Sequence, residues 1–188
     1  MDISNPSLFP VAVIGAGTMG NGIAHVFAQY GFPVTMIDVM DEALSNGMST
    51  IRKNLERMVA KEKISSANME ATLSRIKTSG SIESSVKEAR LVVEAATEKV
   101  DLKLKIFTGL SQWCAPDTIL ATNTSSISIT KIAAATDRPG QVIGMHFMNP
   151  VPVMKLVEVI RGYSTTDEIA ETVVNLSKQL DKIPVVVN

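Results

Sequence analysis

Cysteine, histidine and net charge are scarce in this chain of 188 residues. Its single cysteine excludes an intrachain disulfide, and one cysteine with two histidines does not favour a structural zinc site. The 18 basic and 19 acidic residues nearly cancel, so no overall basic field favours nucleic acid or a membrane as a partner. With 45% hydrophobic and 20% charged residues, the chain can form one substantial globular domain with its own core.

Long hydrophobic runs are absent as well. No stretch approaches the roughly 20 residues of a membrane-spanning helix, and residues 1–6 lack the basic and apolar segments of a signal peptide. We therefore expect a soluble, cytoplasmic protein. The final apolar strand, residues 183–187, has no turn or helix after it. Because domains seldom stop at such a strand, we expect a further domain beyond Asn188.

Strand-like and helix-like segments alternate along the chain, which is typical of βαβ units around a mostly parallel sheet. Residues 9–15 contain the continuous apolar run of a strand buried on both faces, and an apolar stripe over 18–30 predicts the helix that follows. Further strands are predicted within 32–37, 92–96, 118–121, 141–145, 154–160 and 183–187. Further helices are predicted over 99–113 and after the capping box Thr165-x-x-Glu168.

A longer helical region interrupts this alternation. Five apolar residues recur at the spacing of a helix packed along one seam: Leu44, Met48, Ile51, Leu55 and Met58. A second helical stretch around residues 68–76 would complete a helical hairpin over residues 42–76. The predicted fold is therefore α/β: a Rossmann-like, doubly wound, mostly parallel sheet with a helical hairpin insertion, in which the last strands could run antiparallel.

A glycine-rich motif follows the first strand and opens the first helix. It consists of Gly15, Ala16, Gly17, Thr18, Met19 and Gly20, which spell G-x-G-x-x-G. The first glycine permits a tight turn, the second lets backbone approach a pyrophosphate, and the third lets helix and strand pack closely. The helix N-terminus adds free N–H groups for phosphate. In this context the motif predicts a bound dinucleotide rather than a turn with incidental glycines.

An acid at the end of the second strand indicates which dinucleotide binds. Asp38 is placed to accept hydrogen bonds from a ribose diol, and its carboxylate would repel a 2′-phosphate. Residues 39–41 include no arginine that could receive such a phosphate. The predicted cofactor is therefore NAD rather than NADP, held by one NAD-binding domain over residues 1–188.

Two ionisable residues in apolar segments could carry the chemistry. His146 lies where the strand 141–145 should give way to a proline-containing loop, and Glu158 interrupts the strand 154–160. Histidine suits a general base because its unperturbed pKa of about 6.5 is close to working pH, and a carboxylate would fix its tautomer. The alternative is a structural histidine bonded to backbone with a solvent-facing glutamate. The spacing alone leaves both open.

Three further polar residues carry a weaker signal. Ser125 and Asn123 lie in a loop beyond a strand end, where open α/β sheets place ligands, although such residues are also common in simple turns. His25 falls nearly opposite the apolar stripe of the first helix. That position favours a surface or packing role over catalysis.

Together these segments resemble one family, the 3-hydroxyacyl-CoA dehydrogenases, and in particular the NAD-binding domain of the 3-hydroxybutyryl-CoA type. The resemblance extends over nearly the whole chain through GAGTMGNGIA, Asp38, VVEAATEK, TNTSS and HFMNPVPVMKLVEVI. It implies an NAD-dependent, reversible oxidation of a (3S)-3-hydroxyacyl-CoA to a 3-oxoacyl-CoA, in fatty-acid or butanoate metabolism.

The resemblance also implies roles for single residues. His146 resembles the catalytic base, Glu158 the carboxylate that orients it, and Ser125 the serine that hydrogen-bonds the substrate oxygen near the nicotinamide. Positions that contact the nicotinamide half of the cofactor are matched by Glu98, Lys103 and Asn149.

Lys61 matches a lysine that meets coenzyme A in this family. Asn54, Arg57 and Lys61 share one helical face away from the apolar seam, and a cationic strip suits an anionic acyl-CoA substrate. An ordinary solvated face would explain Arg57 equally well. Asn54 stands where the family often has serine, so the chain departs from the family at this predicted substrate contact.

In this family the sheet domain leads into a helical C-terminal domain, which forms the homodimer and contributes an asparagine to the active site. Residues 1–188 do not include that domain. We therefore expect NAD binding of this chain, and homodimer formation and full turnover of the complete protein.

Three other interpretations compete. A non-catalytic dinucleotide-binding relative would not need His146, Glu158 and Ser125 intact. A β-hydroxyacid dehydrogenase of the 6-phosphogluconate type is similar to enzymes with a catalytic lysine, and the spacing His146-x-x-Asn149 argues against it. The chain could also be a fragment of a multifunctional β-oxidation enzyme, although its start just ahead of the first strand favours a separate subunit.

Overall fold

A computed structural model describes residues 3–188, in which eight strands form one sheet. Met1 and Asp2, the first residues of the segment compared with a signal peptide, lie outside the described residues. The strands are β1 (Val11–Ile14), β2 (Val34–Ile37), β3 (Ile76–Ser79), β4 (Leu91–Glu94), β5 (Ile119–Thr122), β6 (Val142–Phe147), β7 (Leu156–Arg161) and β8 (Ile183–Val187). The α-helices are α1 (Thr18–Gln29), α2 (Asp41–Ala60), α3 (Ser66–Ser74), α4 (Ile82–Ser85), α5 (Val100–Trp113), α6 (Ile129–Ala133) and α7 (Asp167–Gln179).

The strands are ordered β3-β2-β1-β4-β5-β6-β7-β8 across the sheet. The first six strands of the chain run parallel, β7 runs antiparallel to β6, and β8 runs parallel to β7. The predicted Rossmann-like, mostly parallel sheet with reversed last strands is thus confirmed. The strand order changes direction between β1 and β4, and open α/β sheets bind ligands in the crevice beyond the carboxyl ends at such a point.

The core lies on both faces of the sheet because side chains alternate along each strand. In β1, Val11 and Val13 join a buried cluster with Phe27 of α1, while Ala12 joins a second cluster with Phe107 of α5. Burial on both faces explains why this strand is a continuous apolar run. The loops at the strand ends therefore project from a rigid layer.

One edge of the sheet differs from the prediction. The helix predicted around residues 68–76 ends earlier, because α3 stops at Ser74 and Ile76 already belongs to β3. Val34 of β2 pairs with Ile76, and Val34 N donates a hydrogen bond to Arg75 O. Only the first residue of β3 is buried, so this short edge strand leaves no apolar alternation in the sequence. The helical hairpin itself is present as α2 and α3.

The capping box predicted at Thr165 is wrong. The N-cap of α7 is Thr166, whose hydroxyl accepts a hydrogen bond from Ile169 N. Thr165 is buried, and its hydroxyl donates to Val142 O of β6 at 2.7 Å. Either threonine could cap a helix, although only Thr165 has a glutamate three residues later. The contact of Thr165 with β6 decided that Thr166 is the cap.

His25 is fully buried, so the surface role left open for it is wrong and the packing role is confirmed. The helix α1 packs against both the sheet and the α2–α3 hairpin, and Lys182 of a separate segment lies near enough to act on the His25 ring. Neither ring nitrogen has a hydrogen-bond partner among residues 3–188. Burial lowers the pKa of His25 to about 4; Gln29, which lies beside the ring, opposes this shift and Lys182 adds to it.

The helices α4 and α6 have no counterpart among the predicted elements, because helices of four and five residues show no apolar periodicity. Within residues 3–188, no helix is both long and apolar enough to cross a membrane. Across the same residues, no group of three or more His, Cys, Asp or Glu side chains could hold a metal ion.

Candidate active site

The glycine-rich motif forms the turn between β1 and α1. Gly15 has a φ of +101°, which favours glycine, and a Cβ there would lie 2.7 Å from Ala95 O. A Cβ on Gly20 would lie 1.8 Å from Gly15 O, so α1 lies too close to the turn for any side chain. A Cβ on Gly17 would meet no described neighbour within 4 Å, so this residue faces open space. The turn is a backbone cradle of the kind that fits a pyrophosphate.

Asp38 connects the end of β2 to this turn. Its Oδ2 accepts a hydrogen bond from Ala16 N at 2.9 Å, and its Oδ1 accepts one from Met40 N at 3.1 Å. A carboxylate oxygen can accept more than one hydrogen bond, so both oxygens can still receive a ribose hydroxyl. The residues of this side of the crevice therefore fit a dinucleotide with an unphosphorylated ribose.

A cavity of about 250 Å³ lies beyond the ends of β4 and β5. Met19 of the glycine motif lines it together with Glu98, Lys103 and Asn123. The hydroxyl of Thr124 holds Glu98 by donating to its Oε2 at 2.7 Å. The structure thus brings three predicted cofactor residues to one cavity, next to the point where the strand order reverses.

Lys103 is not a free cation in this cavity. Its side chain is 1% exposed, and its Nζ pairs with Glu94, the fully buried last residue of β4. The same Nζ donates to Thr122 Oγ1 of β5 at 3.2 Å. Glu94 was not among the predicted site residues, although an acid that ends an apolar, buried strand is a usable signal.

His146 lies within β6 rather than after it, which corrects the strand boundary predicted at residue 145. The strand continues because β7 pairs with it antiparallel, and His146 lies directly opposite Glu158 in this register. His146 Nδ1 is 2.7 Å from Glu158 Oε2, and the two side chains are 19% and 35% exposed. The predicted pairing is present, and the structure does not show the alternative of a backbone-bonded histidine. With Nδ1 engaged, Nε2 is the nitrogen left for a ligand.

The loop after β5 reaches the same edge of the sheet. Thr122 of β5 pairs with Gly144 of β6, so β6 runs past the end of β5 and carries its histidine alongside the loop. Asn123 Oδ1 accepts a hydrogen bond from Phe147 N at 2.8 Å, which fastens the loop to β6. Ser125 follows in this loop and is exposed. Asn123 thus has a structural role that its position alone did not reveal.

Asn149 is the second residue of the loop between β6 and β7. It lines a cavity of about 180 Å³ together with Thr18 of the glycine motif and Asn54 of α2. The loop is held by Lys182, which is buried and donates from Nζ to two carbonyl oxygens of the loop, that of Val151 at 2.6 Å among them. No motif in the sequence pointed to this lysine.

The cationic face of α2 lines a larger cavity of about 470 Å³, which shares Asn54 with the smaller one. Four cations line it: Arg57, Lys61, Lys63 and Lys155. Asp181 also lines the cavity and pairs with Lys155. Positive charge therefore exceeds negative charge around this cavity. Lys63 and Lys155 were not part of the predicted strip, because they lie beyond the end of α2 and in a different loop.

A comparison with known protein families also identifies a dinucleotide-binding domain. Residues 10–188 match the family model for the NAD-binding domain of 3-hydroxyacyl-CoA dehydrogenases. The chain belongs to this 3-hydroxyacyl-CoA dehydrogenase family. The predicted family is thus confirmed, and NAD is the cofactor of the domain, as the glycine turn and Asp38 indicated.

The relatives of this NAD-binding domain include a probable 3-hydroxybutyryl-CoA dehydrogenase of Bacillus subtilis, which is 47% identical over 178 residues, or 95% of this chain. A 3-hydroxybutyryl-CoA dehydrogenase of Bradyrhizobium diazoefficiens is 49% identical over 174 residues, or 90% of this chain. A crystal structure of (S)-3-hydroxybutyryl-CoA dehydrogenase from Ralstonia eutropha superimposes with a TM-score of 0.91 at 48% identity, over 94% of this chain.

The matched region is only part of each relative. This chain spans 62% of the Bacillus protein, 59% of the Bradyrhizobium protein and 62% of the Ralstonia chain. The similarity therefore identifies the NAD-binding domain, whose fold and cofactor are those of the family.

Proposed function

We propose that the complete protein catalyses the reversible oxidation of a (3S)-3-hydroxyacyl-CoA to a 3-oxoacyl-CoA with NAD. The observation that carries this proposal is the 2.7 Å contact between His146 Nδ1 and Glu158 Oε2 at the carboxyl end of β6. A histidine oriented by a carboxylate, at the edge of the sheet where the cofactor binds, is suited to take a proton from an alcohol. The names of the relatives, 3-hydroxybutyryl-CoA dehydrogenases, support the same reaction class.

In this mechanism His146 Nε2 accepts the proton of the substrate 3-hydroxyl. Glu158 fixes the tautomer with the proton on Nδ1 and stabilises the imidazolium that forms. Bound NAD would supply the acceptor for the hydride that leaves C3, so that the carbon–oxygen bond becomes a carbonyl. In the reverse direction, His146 returns the proton to the carbonyl oxygen.

Three residues of the same strand ends would position the reactants. The exposed hydroxyl of Ser125 would donate a hydrogen bond to the substrate oxygen, while Glu98 and Asn149 would contact the nicotinamide half of the cofactor. In support of this assignment, Ser125 follows Asn123, which is bonded to β6 one residue beyond His146. Such positioning converts a chance encounter into a reactive geometry.

The cationic cavity beside α2 would bind the coenzyme A part of the substrate. Its excess of positive charge suits the phosphates of coenzyme A, and Lys61 and Asn54 lie on its wall. The smaller cavity, which shares Asn54 with this one, is lined by Asn149 of the loop between β6 and β7. An acyl chain directed along this loop would reach the end of β6, where His146 lies.

We further propose that the part of the protein represented in the longer relatives supplies the dimer contact and completes the active site. This chain spans 62% of the Bacillus relative, so a substantial segment of that protein has no counterpart in it. A cytoplasmic homodimer acting on acyl-CoA thioesters is the assembly we expect.

The test is the His146→Gln variant of the complete protein. Glutamine keeps a hydrogen-bonding side chain but cannot act as a base near neutral pH, so we expect kcat for acetoacetyl-CoA reduction to fall at least about 100-fold. The affinity for NADH, measured by fluorescence titration, should stay within about twofold, because the glycine turn is unchanged. Turnover close to that of the unmodified protein would refute the assignment of the base.

A further inference from the structure

The ion pair between Glu94 and Lys103 lies at the point where the strand order reverses. Glu94 is the last residue of β4, and in the sheet it is flanked by Ile14 of β1 and Thr122 of β5. The side chains of Glu94 and Lys103 are 0% and 1% exposed. This is a buried charge pair, directly beneath the crevice in which the cofactor binds.

The carboxylate of Glu94 is fully satisfied by hydrogen bonds. Its Oε1 accepts from Ala96 N at 2.9 Å and from Thr97 N at 3.3 Å. Its Oε2 accepts from Thr122 Oγ1 at 2.9 Å and from Lys103 Nζ. One side chain therefore fixes both the lysine and the loop that follows β4.

Stability alone does not explain this pair. Replacing a buried ion pair by apolar residues of similar volume is often neutral or stabilising, so burying two charges needs another reason. Lys103 and the loop residues Ala95 to Glu98 together line the 250 Å³ cavity next to the glycine turn. The pair thus sets both the shape and the charge of this part of the cofactor site.

The charge matters because the cofactor changes charge when it reacts. In doubly wound folds the dinucleotide crosses from one half of the sheet to the other at the switch point, so the half opposite Asp38 lies over β4 and β5. The nicotinamide ring is positively charged when oxidised and neutral when reduced. An unbalanced cation in the cavity would therefore weaken binding of the oxidised form more than that of the reduced form.

We propose that Glu94 is a positioning residue that anchors and neutralises Lys103, and thereby sets the relative affinity of the site for oxidised and reduced NAD. The neutral pair lets the site hold both forms, as a reversible dehydrogenase requires. This inference depends on NAD binding by the domain and not on the identity of the catalytic base or of the substrate.

The experiment compares dissociation constants for oxidised NAD and NADH in the complete protein by titration calorimetry. Glu94→Gln removes the negative charge but keeps an amide oxygen for the loop, and should weaken oxidised NAD about tenfold more than NADH. The double variant Glu94→Gln/Lys103→Met is neutral again and should return the ratio of the two constants to within about twofold of the original. Thr122→Val, which removes a hydroxyl from the network without changing its charge, should alter both constants together.

The single variant Lys103→Gln leaves the negative charge of Glu94 unbalanced and should shift the ratio of the two dissociation constants in the other direction. The test can therefore use whichever single variant folds. A ratio that stays constant in that variant, with both forms weakened equally, would reduce the pair to a structural role and overturn the proposal. A shift that persists in the neutral double variant would also overturn it. Unchanged binding of both forms in the single variants would overturn the proposal as well, whatever happens to acetoacetyl-CoA turnover. The result is therefore read separately from that of His146→Gln, which tests the proposed reaction.

Discussion

The two sides of the crevice are constructed differently. On the β1–β2 side the cofactor site is one local unit: the backbone of a turn with three glycines, and Asp38, whose carboxylate accepts a hydrogen bond from that turn at 2.9 Å. On the β4–β7 side it is made of side-chain pairs from different strands, Glu94 with Lys103 and His146 with Glu158. Binding on the first side depends mainly on the space that the glycines leave for the cofactor, whereas the second side depends on how its buried charges are paired.

The largest expected effect is on the glycine turn of the first side, where one added methyl group should disrupt both folding and cofactor binding. In Gly20→Ala the new Cβ would lie 1.8 Å from Gly15 O, so the turn must shift, and we expect a loss of more than about 3 kcal/mol in unfolding free energy together with NADH binding. Urea denaturation and NADH fluorescence titration measure the two losses.

Gly17→Ala is the matched control for that change. Gly17 has a φ of −65° and no described neighbour within 4 Å of its Cβ position, so the protein should unfold at nearly the same urea concentration. NADH binding should nevertheless weaken at least about tenfold, because the methyl group occupies the space that the pyrophosphate needs. Unchanged NADH affinity would mean that this turn does not cradle the phosphates.

The buried histidine His25 makes the stability of the protein depend on pH, separately from the proposed chemistry of His146. His25 has a pKa of about 4 in the folded protein, below its ordinary value of 6.5, so the unfolded chain binds more protons as the pH falls through 6.5. Its neutral, buried state therefore favours folding above pH 6.5, and this advantage is lost as the pH approaches 4. Between pH 7.5 and 5 we expect the free energy of unfolding to fall by about 2 kcal/mol through this residue.

The variant His25→Leu isolates this contribution, because every other titrating group is retained. The pH dependence of unfolding in urea should be shallower in the variant by about that amount, while turnover at pH 7.5 should not change, because His25 is not part of the proposed active site. Parallel stability curves for the two proteins would show that His25 is not the group responsible.

The smallest of the expected effects concerns Asp38. Asp38→Asn keeps an oxygen for Ala16 N but removes the charge that opposes a 2′-phosphate. We expect NADH to bind about tenfold less tightly, since a charged hydrogen-bond acceptor is stronger than a neutral one. The preference for NADH over NADPH should decrease, because the charge that repels the 2′-phosphate is gone. Asp41→Asn, which removes an exposed acid in the first turn of α2, is the control and should leave both affinities unchanged.

Contiguous features of the site could be predicted from the sequence. The glycine turn and Asp38 were predicted because a strand, a turn and a helix follow one another in a short segment, each with its own periodicity. Glu94 and Lys182 were missed because their partners lie on other elements: Lys103 on α5 for the first, and the loop after β6 for the second. Lys182 lies in no pattern that distinguishes it from an ordinary surface charge, whereas Glu94 ends an apolar strand and could have been recognised by that signal.

The errors in the fold have the same origin. β3 is a strand only because the open edge of β2 offers it hydrogen bonds. Thr166 rather than Thr165 caps α7 because the hydroxyl of Thr165 donates to Val142 O of β6. His25 is buried although the helical pattern places it opposite the apolar stripe, because neighbouring elements pack around α1 on more than one side. In each case a neighbouring element overrode a local preference.

The sequence by itself determined the alternation of strands and helices along most of the chain, the dinucleotide turn and the preference for NAD. The first two follow from local periodicity and from the conformations that glycine permits, and the third from the acid that ends β2. Tertiary structure alone decided that β6 extends through His146, that this histidine faces Glu158 across an antiparallel pair, and that Lys103 is neutralised beneath the cofactor site. The physical reason is that register and burial depend on distant segments, and a charge in a sequence has no partner until the chain has folded.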